Sequence, residues 1–474
     1  MRDCRGGARV RGGRYGASSW TLLILTTKTR TQSGCIPPGL VSRLLERGHA
    51  EAVERWAGRG EWFCAREWAR LLAERGRQAE ALEVLAPYVA TGWWTAAAAM
   101  AELLEANGRA DEAISLVRPH AEGGDRLALG FFARLLARHG RGDEAFDLLR
   151  PHIEDWYLAE PLVDIAGPTG RHEEAFRLLA DRTENAPPPR CCDHPPCGGR
   201  RVEPFNAVNL VATIRERQGR VDDAIALLRT RESTSINNRD PLADLLARHD
   251  RTEELRAYAA TEHHGHAALR LADLLEEQRD VEGAIAAYRQ AAGPAAQNPN
   301  SAFGLARLLA RHGRGNAAIE VVRIQADARP GEDWILHTLA DLCLDQGRPA
   351  DGLAHLDDLA AARGGEEEWD LFWMRLPLIA AGAGVDEAVE RARAHPEGNT
   401  SYAAEHIAAL LAGAGRTEEA VAVLEQHACA NRHDLAGYLI DLGRIDDAVN
   451  LLQQTSPRPP ATSTAGLWQD EPPF

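Results

Sequence analysis

Along most of the chain, apolar residues fall at i, i+3, i+4 and i+7 in short blocks. That is the period of helices burying one face. The blocks repeat one design: a Leu-Leu pair, a few polar residues, Gly-Arg, an acidic pair, Ala, then further apolar residues. Gly76-Arg77, Gly108-Arg109, Gly140-Arg141, Gly170-Arg171, Gly219-Arg220, Gly313-Arg314, Gly347-Arg348, Gly415-Arg416 and Gly443-Arg444 carry it. Asp250, Arg279 and Ala383 fill the slot in weaker copies, and Gly48 starts a slipped first copy. Slots lie 28–36 residues apart, except for one gap of 49 between Gly170 and Gly219.

The slot reads as the turn of a helix-turn-helix. Glycine takes the left-handed conformation that ends a helix without a Cβ penalty. His139, His249 and His312 precede the slot, where a donor suits a helix C-terminus. Acids such as Asp111-Glu112, Glu173-Glu174, Asp222-Asp223 and Glu418-Glu419 follow it, at the positive end of the second helix. Five residues after each slot stands a small residue: Ala81, Ala113, Ala145, Ala175, Ala224, Ala284, Ala318, Gly352, Ala388, Ala420 or Ala448. Twelve before most of these stands another: Ala69, Ala101, Ala133, Ala212, Ala272, Ala306, Ala340, Ala408 or Ala436. Paired small residues let two helices approach to the short end of the usual ~8–10 Å. Leu85, Val117, Leu149, Leu179, Leu228, Tyr288, Val322, Leu356, Leu424 and Leu452 follow four later on the same face. One hairpin cannot bury that face alone, so neighbours must stack.

These residues resemble the tetratricopeptide repeat family, whose motif also sets two small residues twelve apart with a turn glycine five before the second. The resemblance spans about residues 40–453. It implies an all-α fold: a right-handed α-solenoid of about 12–13 TPR-like helix-turn-helix repeats. The copies depart from the family in being mostly shorter than 34 residues and in having Leu or Ala at its aromatic positions. Pro87, Pro119 and Pro151 recur where the second helix should stop.

Arrays of this family are interaction scaffolds. The resemblance therefore implies a non-enzymatic adaptor binding a partner segment on its concave face. Counting back from the second Ala projects two inner columns. One includes Arg66, Asn209, Asp240, Phe303, His337 and Trp373; the other includes Arg70, Arg134, Asp244, Asp273, Arg307 and Asp341. The Lys/Asn clamp of carboxylate-binding members is missing from both. Asp240, Asp244 and Asp273 cluster mid-array, where a basic partner segment would dock. Two alternatives stand beside the scaffold: a peptide-sensing regulatory repeat protein, and an RNA-binding helical repeat protein. Trp62, Trp93, Trp156, Trp334 and Trp369 recur where repeats begin. They read either as wedges between repeats or as a ladder of peptide anchors.

The net charge of −16 opposes nucleic-acid binding. Eight scattered cysteines do not form a disulfide framework, so a reducing, cytoplasmic setting is expected. No apolar run is long enough to span a bilayer. The expected division is a basic arm over 1–36, repeats over 37–184, a Pro/Cys-rich insertion over 185–203, repeats over 204–453 and a disordered tail over 454–474. The arm admits three readings: a disordered segment, a start assigned too early with translation beginning near Val41, or a secretory signal, for which Trp20–Leu25 is short.

The insertion holds Cys191, Cys192, His194 and Cys197, which are weak zinc candidates. Four ligands within seven residues lack the two separated pairs of a structural zinc site. His263, His264 and His266 lack the partners and the spacing for a metal. Phosphate-loop, dinucleotide, zinc-protease and serine-hydrolase motifs are missing. No catalytic residue and no cofactor is expected.

Overall fold

The computed structural model describes residues 36–184, 202, 204–230, 240–262, 265–292, 299–329, 332–362 and 369–453. The basic arm, most of the Pro/Cys-rich insertion, His263, His264 and the tail lie outside the described residues. Among the described residues there are twenty-six α-helices and no strand; successive helices pack on one another as hairpins. The fold is an all-α solenoid of TPR-like repeats.

Each turn closes as its glycine requires. Gly76 has φ 76°, Gly108 72° and Gly313 72°. At each, the N–H of the following Arg donates back to the last turn of the first helix. Examples are Arg77 N to Leu72 O at 2.9 Å and Arg314 N to Leu309 O at 2.8 Å. The weaker slots obey the same geometry at a steric cost: among the described residues, Asp250 (φ 53°) and Arg279 (φ 66°) are the non-glycine residues held left-handed. At Ala383 the register holds, with Ala388 fully buried five residues on, but the left-handed φ, 101°, falls on Gly384 at the cap of the next helix. Ala383 ends the helix Trp369–Ala383, because the residue that can turn left-handed lies one position later.

The predicted core is the observed core. Ala81, Ala113, Ala145, Ala175, Ala224, Ala284, Ala318, Ala388, Ala420 and Ala448 are fully buried, and so are most of the alanines twelve residues earlier. Gly352 shows how closely the helices approach. A Cβ added there would lie 3.0 Å from Leu378 and 3.3 Å from the Cβ of Cys343. The larger residues four positions on, Leu85 through Leu452, are buried as well. Each contributes about 1.5–3 kcal/mol by leaving water.

Two of the three prolines do not stop their helices: Pro87 lies within Gln78–Val89 and Pro119 within Ala110–Glu122. At Pro151 the expected stop holds, for the helix Gly142–Leu149 has ended and a short 3-10 turn, Arg150–His152, follows. Pro87 and Pro119 sit in the last turn, and the helix runs only two or three residues past each.

The described chain divides into two compact units. One joins the described parts of Met1–Leu135 and Asn399–Phe474; the other is Leu136–Gly398. In the first unit the last hairpin of the chain stacks on the first: Pro38–Glu46 packs against Arg432–Asp441. Leu40, Val41 and Leu44 are buried on one side, and Leu435, Leu439 and Ile440 on the other.

In the second unit, Leu136–Gly398, hairpins stack in sequence from Trp156–Ala166 to Val385–Ala394. The insertion at 185–203 separates two helices that pack directly on each other, His172–Glu184 and Pro204–Arg217. Arg215 is buried there, 3.5 Å above the Phe176 ring, and pairs with Glu173 at 2.8 Å. Arg217 reaches Asp164 at 2.6 Å.

Candidate functional site

The Arg after each turn does more than the sequence pattern suggests. It occupies the cap position of the second helix and pairs with the acid three residues on: Arg77 with Glu80, Arg109 with Glu112, Arg171 with Glu174, Arg416 with Glu419 and Arg444 with Asp447. Arg314 lacks that acid and reaches Glu282 of the preceding repeat instead. Arg171 and Arg251 bond their own acid and also that of the repeat before, through Asp147 and Asp222 at 2.8 Å each. Solvent screens these exposed pairs, so each adds little to stability. They absorb most of the charge along the turns.

His249 and His312 act across repeats. His249 Nε2 lies 3.0 Å from Glu216, which also takes Arg248; His312 Nε2 lies 2.9 Å from Glu276, which also takes Arg311. Burial pushes the Glu216 carboxyl up, but the bonds from Arg248 and His249 outweigh it and hold it below the usual range. The Arg311 bond does the same for Glu276.

Three of the projected binding residues belong to the first unit. Arg66 and Arg70 both pair with Glu67, at 3.0 Å each, and Arg70 also pairs with Glu74 at 2.8 Å. Arg134 is half-buried on the helix Arg126–Arg138.

The rest belong to Leu136–Gly398. Asn209 is half-buried, and its carbonyl accepts from the Thr213 hydroxyl. Asp240 is buried at 3% exposure. Its carboxylate caps the helix Pro241–Arg248 through Leu242 N and Ala243 N and accepts from the Tyr258 hydroxyl at 2.6 Å. Asp240 is thus a structural cap, with no carboxylate surface to offer a partner. Asp244 pairs with Arg270 at 3.5 Å. Partial desolvation pushes the Asp273 carboxyl up, against the pull of Arg270 and Arg311. The acidic trio expected mid-array is therefore not one open patch.

Another grouping emerges on three successive first helices: Pro299–Arg311, Asp333–Asp345 and Trp369–Ala383. Phe303 lies against Trp334 (ring centroids 4.8 Å apart), and His337 lies against Trp373 (5.1 Å). Asp341 accepts from His337 Nδ1 at 3.0 Å. Arg307, one turn beyond Phe303, is exposed with no ion pair among the described residues. Trp334 is 49% exposed, the most open of the large apolar side chains described.

The tryptophan signal thus splits in two. Trp62, Trp93 and Trp369 are buried wedges: Trp62 packs on Tyr88 and Trp93, and Trp369 on Phe372 and His395. Trp334 also begins a repeat but is left open. It stands six residues before Ala340, whereas Trp62 stands seven before Ala69, so it is the second residue of its helix and is turned off the buried face.

Other chemistry finds little support in the geometry. Among the described residues no group of three or more His, Cys, Asp or Glu is placed to hold a metal ion. Cys191, Cys192, His194 and Cys197 fall outside those residues. Burial pushes the Cys343 thiol up to about 11, so it is protonated at neutral pH and a poor nucleophile. No described helix is long and apolar enough to cross a membrane.

No family model matches the chain, and no curated protein matches it. Among solved structures, the chain is similar to one in the complex of Naa15/Naa10 bound to HypK-THB. The two are 15% identical with a TM-score of 0.34, and the match covers 92% of this chain and 67% of that one.

Proposed function

We propose that this chain is a non-enzymatic scaffold that holds a segment of a protein partner. The binding face in this reading is the side of the first helices in Leu136–Gly398 that leaves Trp334 open, with half-buried His337 and Trp373 beside it and buried Phe303 behind the indole. One observation carries it: a large aromatic side chain, Trp334, is left half in solvent beside other rings on neighbouring helices. Exposed aromatic rings on a rigid helical face are the side chains that anchor protein interfaces. The acidic balance of the chain argues for a protein over RNA. A reducing compartment suits Cys64 and Cys343, two buried cysteines outside any disulfide.

Affinity purification from the native cell, with wild-type and Trp334→Ala chains side by side, tests the reading. One stoichiometric protein should accompany the wild type and be depleted at least tenfold with the variant. An unchanged partner yield with Trp334→Ala removes the face from consideration.

A further inference from the structure

Resting on that reading, we propose that the Trp334 face is built to take an arginine side chain of the partner, stacked on the indole and paired with carboxylates beside it. Trp334 is fixed for this role: its Nε1–H donates to Glu332 Oε2 at 2.9 Å, and Phe303 packs against the ring. Glu332 and Asp333 directly precede the ring in sequence, Asp341 lies two turns on and is shared with His337, and Asp370 stands one turn before Trp373. Against these four carboxylates the row offers one unpaired guanidinium, Arg307.

Charge decides among the occupants. An apolar side chain over Trp334 would strip water from carboxylates and give nothing back. An acidic one would be repelled. A guanidinium satisfies both features at once, because its face stacks on the indole while its edge donates to carboxylate oxygens. The same unit already makes this arrangement with its own arginines. Arg171 lies 3.9 Å above the Phe146 ring while pairing with Asp147 and Glu174. Arg215 lies 3.5 Å above Phe176 while pairing with Glu173. At Trp334 the ring and the acids are present, and the guanidinium would come from the partner.

The test titrates the full chain with a fluorescent acetyl-Gly-Arg-Gly-Arg-Gly-amide peptide and its citrulline counterpart, equal in shape but uncharged, reading anisotropy. The arginine peptide should bind at least tenfold more tightly than the citrulline one. Trp334→Leu, which keeps apolar bulk and removes the ring, and Asp341→Asn should each weaken it several-fold. Glu253→Gln, on an exposed acid of the helix Thr252–Ala259, should leave it unchanged. Equal binding of the two peptides overturns the proposal. So does a loss with Glu253→Gln as large as with Trp334→Leu, which would mark general attraction to an acidic chain. If the peptides bind alike while the native partner is still lost with Trp334→Ala, the scaffold reading stands and the arginine assignment falls.

Discussion

Arg43 and Asp441, 398 positions apart, form a two-armed ion pair: Arg43 Nε donates to Asp441 Oδ1 at 2.9 Å and a second guanidinium nitrogen donates to Oδ2. Arg47 Nε adds a third bond at 3.0 Å, and Arg43 also lies 5.6 Å from the Tyr438 ring centre. Beyond the pair, Arg55 reaches Asp446 at 3.2 Å and Gln453 donates to Glu61 at 2.9 Å. Stacked hairpins bury their apolar faces only against neighbours, so the two ends of an array normally need polar caps. Here the first and last hairpins cover each other.

Removing the shared acid should loosen that joint. Asp441→Ala leaves Arg43 and Arg47 without their partner, and bonds to charged groups of this kind are worth about 1–3 kcal/mol. Hydrogen exchange in Pro38–Glu46 should accelerate markedly in the variant, while Pro299–Arg311 keeps its wild-type rate.

Acid should act on the same joint. The Arg43 bond holds the Asp441 carboxyl below its usual range, with burial opposing and losing. Glu216 and Glu276 are lowered too. A carboxylate lowered in the fold binds its proton more readily in the unfolded chain, where its pKa is about 4. The stability it contributes is therefore complete above that value and lost as pH falls through the folded one. Melting temperature should hold between about pH 7 and 5 and drop below about pH 4. Asp441→Asn combined with Glu216→Gln and Glu276→Gln should melt lower at neutral pH and show a shallower acid decline. A decline as steep as the wild type's would assign the acid response to other groups.

The turn slots predict opposite effects from two substitutions. Arg279 holds φ at 66° with a full side chain, whereas Gly76 holds 76° without one. A left-handed residue with a Cβ costs roughly 1–2 kcal/mol, partly offset by the entropy a glycine loses on folding. Arg279→Gly should therefore stabilise by about 0.5–1 kcal/mol and Gly76→Ala destabilise by about 1 kcal/mol. Urea midpoints of the two variants check the signs.

The buried alanines set the helix spacing, so enlarging one should cost more than enlarging a surface residue. Ala318→Leu adds three carbons at a fully buried site and should destabilise by about 1–3 kcal/mol or more. Exposed Ala350→Leu should change the melting temperature little.

Local rules made the repeat legible. Glycine at a left-handed turn and alanine at a close contact each leave a mark within a few residues, which is why even Asp250 and Arg279 could be placed from spacing alone. Ala383 keeps that spacing to buried Ala388, but the left-handed residue is its neighbour Gly384, which spacing does not reveal. Asp240 looked like a surface acid, yet Asp followed by Pro at a helix start is a cap signal, and Tyr258 completes its burial. The Arg43–Asp441 pair left no trace, since nothing local links positions so far apart. Trp334 and Trp62 differ by one residue in register, six against seven before the repeat's first small residue, a shift that was legible in the sequence and turns Trp334 off the buried face.

The measurement closest to the central claim is hydrogen-exchange mapping of the chain with and without its co-purified protein partner. The account predicts protection concentrated in Asp333–Asp345, with Pro299–Arg311 and Trp369–Ala383 slowed to a lesser degree. Protection confined to the second helices, such as Gly315–Ala328 and Pro349–Ala362, would contradict it.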